Sequence, residues 1–226
     1  MNMPLMIDLS NKKVVIVGGG KVATRRAKTL LAYTKHIHVV SPTITDTLQK
    51  YLETKQITYE KKHFEPQDVE NADVVIAATN QSDVNNDVGA ALSKNVLFNH
   101  AGQADLGNVT FPNFLKRDKL TISVSTDGAS PKLGQRIIKD LKDTYNEDYS
   151  MYIQFLYESR QYIKSLKIEP SDKQALLEQI LSDKYLDEKK QQDFIRWLKS
   201  QVKWRMGAYD CLLYTSDAAD DTPCVD

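Results

Sequence analysis

A run of β-branched residues that ends in three consecutive glycines constrains this chain more than any other feature. Residues 12–17 read KKVVIV, Gly18-Gly19-Gly20 follows at once, and residues 22–33 read VATRRAKTLLAY. The first run is a short buried strand. In the second, Val22, Ala23, Ala27, Leu30 and Leu31 fall on one helical face. Gly18 to Ala23 therefore fits G-x-G-x-x-A between a strand and a helix. Gly18 allows the tight turn, Gly20 lets backbone approach a pyrophosphate, and Ala23 is small enough for close helix–strand packing. The helix N-terminus supplies unpaired N–H groups and a partial positive charge for phosphates. The motif alone is weak, but strand, helix and further βα units are all present, which is the context that it requires. The turn is a candidate dinucleotide site.

The pattern continues through the first hundred residues. Residues 36–40 (HIHVV) form a second strand, 43–53 a helix, 56–61 (QITYEK) a weaker strand and 74–78 (VVIAA) a strong buried one. A helix over 83–94 and a strand over 96–98 complete the series. Such alternation predicts a parallel, doubly wound sheet. An acid that would bind the adenine ribose is missing from the end of the second strand. Ser41-Pro42-Thr43 stands there, so hydroxyl or backbone groups would make that contact. Arg25 and Arg26 are either a solvated face or takers of a 2′-phosphate. Small residues end the 74–78 strand, where a cofactor can lie over the sheet edge and meet Thr79 and Asn80.

Beyond this the character changes. Residues 108–115 (NVTFPNFL) and 120–125 (LTISVS) alternate like half-exposed strands. A turn at 126–129 leads into a helix over 130–145 with Ser130 as N-cap and Pro131 at its first position. From 147 to about 206 the chain is helical and rich in polar residues. The fold class is α/β: an N-terminal Rossmann-type parallel sheet, a small α+β region and a C-terminal helical region. The divisions are set at 1–113, 114–146 and 147–208, followed by a tail at 209–226.

Composition narrows the class. Across 226 residues, 41% are apolar, and thirty Lys+Arg meet thirty Asp+Glu. A disordered chain would be less apolar and less balanced. The tail YDCLLYTSDAADDTPCVD holds both cysteines and five aspartates but no Lys or Arg. It shows no periodicity, and it reads as disordered and foreign to the fold. Without it 30 bases face 25 acids, a net +5. That suits a small anionic partner by steering without identifying it. No apolar run approaches the roughly 18 residues of a membrane span, and no secretory signal opens the chain, so the expectation is a soluble cytoplasmic protein. The four histidines form no metal pattern. No aromatic–basic interleaving speaks for nucleic acid.

GGGKVATRR, VVIAATN and LFNHAGQADLGNVTFPNFLKRDKLTISVSTDGASPKLGQRI, followed by a helical C-terminus, resemble the siroheme synthase family, and within it the precorrin-2 dehydrogenase and sirohydrochlorin ferrochelatase module. The resemblance runs from residue 3 to about 205. Its most specific element is 108–136, with Phe111-Pro112, Arg117 and the S-T-x-G-x-S-P turn. It implies NAD-dependent oxidation of precorrin-2 to sirohydrochlorin, iron insertion in some members, a homodimer joined through the second region, and C-terminal helices that complete a tetrapyrrole cleft. Lys21-Val22 and Pro42-Thr43 match positions that contact NAD. Thr126 matches a hydroxyl residue lining the tetrapyrrole site, beside Asp127 and Gly128. Lys132 and Arg136, four apart on one helix, are either a solvated face or the groups that attract the substrate's carboxylates.

The chain departs from the family at one point. Where relatives often read N-V-V-D, it has Asn99-His100-Ala101-Gly102, and a glycine can neither take a proton nor bind iron. Asn99 stays a substrate contact by resemblance. The nearest groups for the aspartate's work are His100, as base or ligand, and Asp105, each also readable as an ordinary polar residue. Dehydrogenation survives this departure because it depends chiefly on positioning. Iron insertion is weakened. The rival readings are a non-catalytic NAD(H)-binding regulator and a dehydrogenase for another substrate.

Overall fold

The computed structural model describes residues 2–201; residues 202–226, and with them the expected tail, lie outside the described residues. By their contacts the described residues form two compact units: 2–112 with Asp127–Ala129, and Asn113–Thr126 with 130–201. Among the described residues no helix is long and apolar enough to cross a membrane.

The first unit runs β1 (Val14–Val17), α1 (Lys21–Leu30), β2 (Ile37–Val40), α2 (Asp46–Glu53), β3 (Thr58–Glu60), β4 (Val74–Ala77), α3 (Ser82–Ala90) and β5 (Leu97–His100). The five strands form one parallel sheet in the order β3-β2-β1-β4-β5. Val14, Ile16, Val39 and Ile76 pack on one face against Ala23, Ala27 and Leu30 of α1 and Leu48 of α2. Val15, Val17, Val75 and Ala77 pack on the other against Val88 of α3 and Phe98. Both faces of the central strands are buried, and this is why their sequences are continuous β-branched runs rather than alternating ones. The chain winds from β1 towards β3 and then from β4 towards β5, so the direction reverses at the β1/β4 boundary. A crevice opens there at the carboxyl edge.

The second unit begins with an antiparallel hairpin, β6 (Asn113–Arg117) and β7 (Leu120–Val124). Four helices follow: α4 (Pro131–Thr144), α5 (Tyr149–Ser165), α6 (Pro170–Gln179) and α7 (188–201). Ser130 caps α4, its Oγ accepting from the Leu133 N–H at 3.2 Å, with Pro131 in the first turn. Gly134 of α4 sits against the hairpin: a Cβ there would lie 2.8 Å from Nδ2 of Asn113. Arg117, on β6, is buried. Its Nε donates to the carbonyls of Tyr145 and Asn146 at 2.9 and 2.8 Å, and its Nη1 meets Glu147 at 3.2 Å. It thus satisfies carbonyls that the end of α4 leaves without helical partners. The helices close around Tyr152, Phe155, Ile163, Ile180, Tyr185, Phe194 and Leu198. Aromatic rings run in contact through Phe155, Tyr185 and Phe194 to Trp197.

One expectation is corrected. The first strand of the hairpin was expected to start at residue 108, and it starts at Asn113. Residues 107–109 instead seal the outer edge of β5. The Asn108 side chain accepts from the Phe98 N–H at 2.7 Å and donates to the Val96 carbonyl at 2.8 Å. The backbone N–H groups of Asn108 and Val109 both donate to the Phe98 carbonyl. An asparagine amide here imitates a neighbouring strand and removes an open sheet edge. The alternation at 108–112 reflects this edging and not a hairpin strand.

Candidate functional site

The crevice at the carboxyl edge is a cleft of about 780 Å³, within the usual range for small-molecule sites. Gly18 to Val22, Ser41 to Thr45, His63, Phe64 and Ala78 to Gln81 line it. Gly18 has φ +120°, and a Cβ on it would lie 2.4 Å from the Ala78 carbonyl oxygen. The turn therefore crosses β4 at a distance that only glycine permits. A Cβ on Gly19 would collide with the Thr43 carbonyl oxygen and meet Oγ of Ser41 at 2.9 Å. On the side where Gly20 would carry a Cβ there is nothing within 4 Å. Gly20 is also the N-cap of α1 and offers no capping side chain, and the first turn holds no acid. Open space, helix N–H groups without a side-chain cap and a first turn without acids fit a pyrophosphate, and the carboxylate that lines the cleft, Asp87, belongs to α3.

The expected cofactor residues Gly18, Gly20, Lys21, Val22, Ser41, Pro42, Thr43, Thr79 and Asn80 all line this one cleft. Ala23 lies beneath it, fully buried against the sheet. Ser41 is buried, and its carbonyl accepts from the Tyr59 hydroxyl at 2.9 Å; burial pushes that phenol's pKa up. Thr79 is locked by buried Asn85 of α3. The amide oxygen accepts from the Thr79 N–H and hydroxyl at 3.1 and 2.8 Å, and the amide nitrogen donates back to the Thr79 carbonyl. Arg25 and Arg26 are not among the lining residues. Arg26 lies with its guanidinium 4.4 Å from the centre of the Phe111 ring. Desolvation, and secondarily Arg25, lower its pKa to about 10. Sequence reasoning missed Gly19, His63, Phe64 and Asn85. The three-glycine run is a signal for Gly19, but the carbonyl it must avoid belongs to another element.

A second set of polar groups stands at the end of β5. Asn99 and His100 are 3% and 2% exposed. Asn99 Nδ2 donates to the Val109 carbonyl at 3.0 Å, and its Oδ1 is buried with no partner. His100 Nδ1 accepts from the Gln103 N–H at 2.9 Å, which places the neutral ring's proton on Nε2, also buried without a partner. The lone pair at Nδ1 is thus occupied; a base or ligand role would have to break that bond. Asn99 pairs in register with Ile76 and His100 with Ala77, so the two side chains leave opposite faces of the sheet. Gly102 is exposed; a Cβ on it would touch only the His100 ring, at 3.5 Å. Asp105 is exposed in a 3₁₀ turn, Ala104–Leu106. Among the described residues no group of three or more His, Cys, Asp or Glu side chains is placed to hold a metal.

The remaining expected residues fall around the turn that precedes α4. Thr126 Oγ1 accepts from the Ser130 N–H at 3.1 Å. Asp127 and Gly128 both have positive φ, +48° and +85°, and Asp127 Oδ1 accepts from Asn2 Nδ2 at 3.3 Å. Lys132 and Arg136 are exposed on the first turns of α4.

Comparison with known proteins agrees with this geometry. Residues 5–113 match a family described as NAD(P)-binding, and residues 149–194 match the SirC C-terminal domain. A precorrin-2 dehydrogenase of Priestia megaterium is 37% identical, over 86% of this chain and 97% of that protein. The precorrin-2 dehydrogenase of Bacillus subtilis is 38% identical, over 70% and 98%. A solved structure named SirC, precorrin-2 dehydrogenase, superposes with a TM-score of 0.78 at 36% identity, covering 88% of this chain and all of that one.

Proposed function

The chain belongs to the precorrin-2 dehydrogenase family, and we propose that it oxidises precorrin-2 to sirohydrochlorin with NAD⁺, as a step of siroheme biosynthesis. The observation that carries this reading is the glycine turn, whose open Gly20 side faces the cleft at the uncapped start of α1. The oxidation removes a hydride and a proton from precorrin-2. NAD⁺ held in the cleft would supply the hydride acceptor.

The chain's own residues do the positioning. Gly20, Lys21 and Val22 present backbone to the pyrophosphate. Ser41, Pro42 and Thr43 would hold the ribose, and Thr79 and Asn80 offer further polar groups to the cofactor, since all five line the cleft. The substrate contacts are Asn99, Thr126, Asp127 and Gly128, with Lys132 and Arg136 drawing its carboxylates. The proton would pass to His100, once its Nδ1 is released from the Gln103 N–H, or to exposed Asp105. In this reading residues 1–113 carry the cofactor, 114–146 join two copies into a homodimer, and 147–208 close over the tetrapyrrole. The enzyme works in the cytoplasm.

Incubation of the protein with precorrin-2 and NAD⁺ should raise absorbance at the NADH band and yield sirohydrochlorin. A flat trace with substrate known to be active would sink the reading. Iron insertion is not included, because Gly102 supplies neither base nor ligand. Fe²⁺ and sirohydrochlorin should give siroheme no faster with the protein than without it.

A further inference from the structure

We infer that two threonine hydroxyls outside the cofactor motif, Thr24 of α1 and Thr45 at the N-cap of α2, are positioning residues that hold the glycine turn in its NAD-binding shape. The inference rests on the cofactor reading of that turn. Thr24 Oγ1 lies 2.9 Å from the Gly20 carbonyl oxygen and 2.7 Å from Thr45 Oγ1. Thr45 Oγ1 in turn accepts from the Leu48 N–H at 3.3 Å. Each hydroxyl has one proton. Only one arrangement uses all three contacts: Leu48 N–H donates to Thr45, the Thr45 hydroxyl to Thr24, and the Thr24 hydroxyl to Gly20. The Thr45 N–H separately donates to the Gly19 carbonyl at 3.1 Å.

These bonds end on the backs of two successive peptide units of the turn. A trans peptide is planar, and its N–H points opposite to its C=O; no cis peptide occurs among the described residues. Holding the Gly19 carbonyl therefore aims the Gly20 N–H, and holding the Gly20 carbonyl aims the Lys21 N–H. Both amides belong to residues that line the cleft. The Gly20 carbonyl also accepts the first helical bond, from the Thr24 N–H at 3.0 Å, so the Thr24 hydroxyl is a second hold on that plane and the one that ties it to Thr45. Oriented donors fixed before the ligand arrives lower the ordering cost of binding it. The same relay joins the pyrophosphate turn to the element that follows the ribose loop, so the two halves of the cofactor site move as one body.

The test is a double-mutant cycle in the full chain, with NADH affinity read by its own fluorescence. Thr24→Val and Thr45→Val should each weaken NADH binding by about tenfold, the order of one partnered polar group lost. The double variant should bind as the single ones do, because either change cuts the same relay. Thr24→Ser should bind within about twofold of wild type, and the Thr24→Val enzyme should show its loss in KM for NAD⁺ rather than in kcat. Wild-type NADH affinity in Thr24→Val, or losses that multiply in the double variant, would overturn the inference. So would a Thr24→Ser variant as weak as Thr24→Val, which would assign the effect to the methyl group. A wild-type chain that fails to bind NADH would overturn the cofactor reading and this inference together.

Discussion

The three glycines of the turn are not equivalent, and single methyl groups separate them. Gly19→Ala puts a Cβ onto the Thr43 carbonyl, so the α2 loop must shift. We expect a loss of both NADH binding and thermal stability, the latter of about 1–3 kcal/mol. Gly20→Ala meets no protein atom and has an ordinary φ of −84°. Its melting temperature should stay close to wild type while NADH affinity falls, because the methyl fills the space left for phosphate. Parallel melts and NADH titrations of the two variants check the contrast. Arg117 is the other residue on which much depends. Arg117→Ala unties the end of α4, leaving the Tyr145 carbonyl to find water and the Asn146 carbonyl with the Tyr149 N–H, at a cost of about 1–3 kcal/mol in urea denaturation. Gly18 was legible in the sequence because its positive φ belongs to the turn itself, although the Ala78 carbonyl that it must clear does not. Arg117 was legible only as part of a resemblance, since its partners lie 28 and 29 residues away.

At the scale of elements the strands were the easiest to read. VVIV and VVIA are β-branched and buried on both faces, and helices with apolar faces at the right spacing intervene. The strand misplaced at 108 shows the limit of such reading. Asn-Val-Thr-Phe has strand composition, yet Asn108 spends its amide on the edge of β5. Periodicity reports which side chains are half-buried and not which backbone they pair with. Asn108→Leu should therefore loosen the edge of the dinucleotide sheet. Hydrogen exchange at the Phe98 amide should rise well above wild type, while the β6–β7 amides stay protected. Equal exposure of both would show that 108 belongs with the hairpin after all.

For the whole molecule, a paired carboxylate beside the central sheet makes stability depend on pH. Asp73, just ahead of β4, accepts from Lys12 Nζ and from the Lys13 N–H, both at 2.9 Å. The Lys12 bond first, then the Lys13 amide, hold its carboxyl below the usual carboxylate range. Asp8 is held low in the same way by Ser10. A carboxyl that titrates lower when folded adds stability at neutral pH, and the gain fades as pH falls through its folded value. Asp73→Asn should accordingly be less stable than wild type near pH 7. The gap should begin to narrow near the unfolded carboxyl's value of about 4 and close only once pH is below the lower folded value, as urea midpoints measured across acid pH would show. Parallel curves at all pH values would remove Asp73 as the cause.

The aromatic chain that ends at Trp197 has an optical consequence. Both tryptophans of the protein, Trp197 and Trp204, come after residue 112, and the dinucleotide unit has none. Trp197 packs against Phe194, whose ring contacts lead back into the helical core. The emission of Trp197 therefore reports on the C-terminal helices, while the emission of bound NADH reports on the sheet that carries it. One denaturant titration, read at the tryptophan and the NADH bands, compares the two regions with no label added.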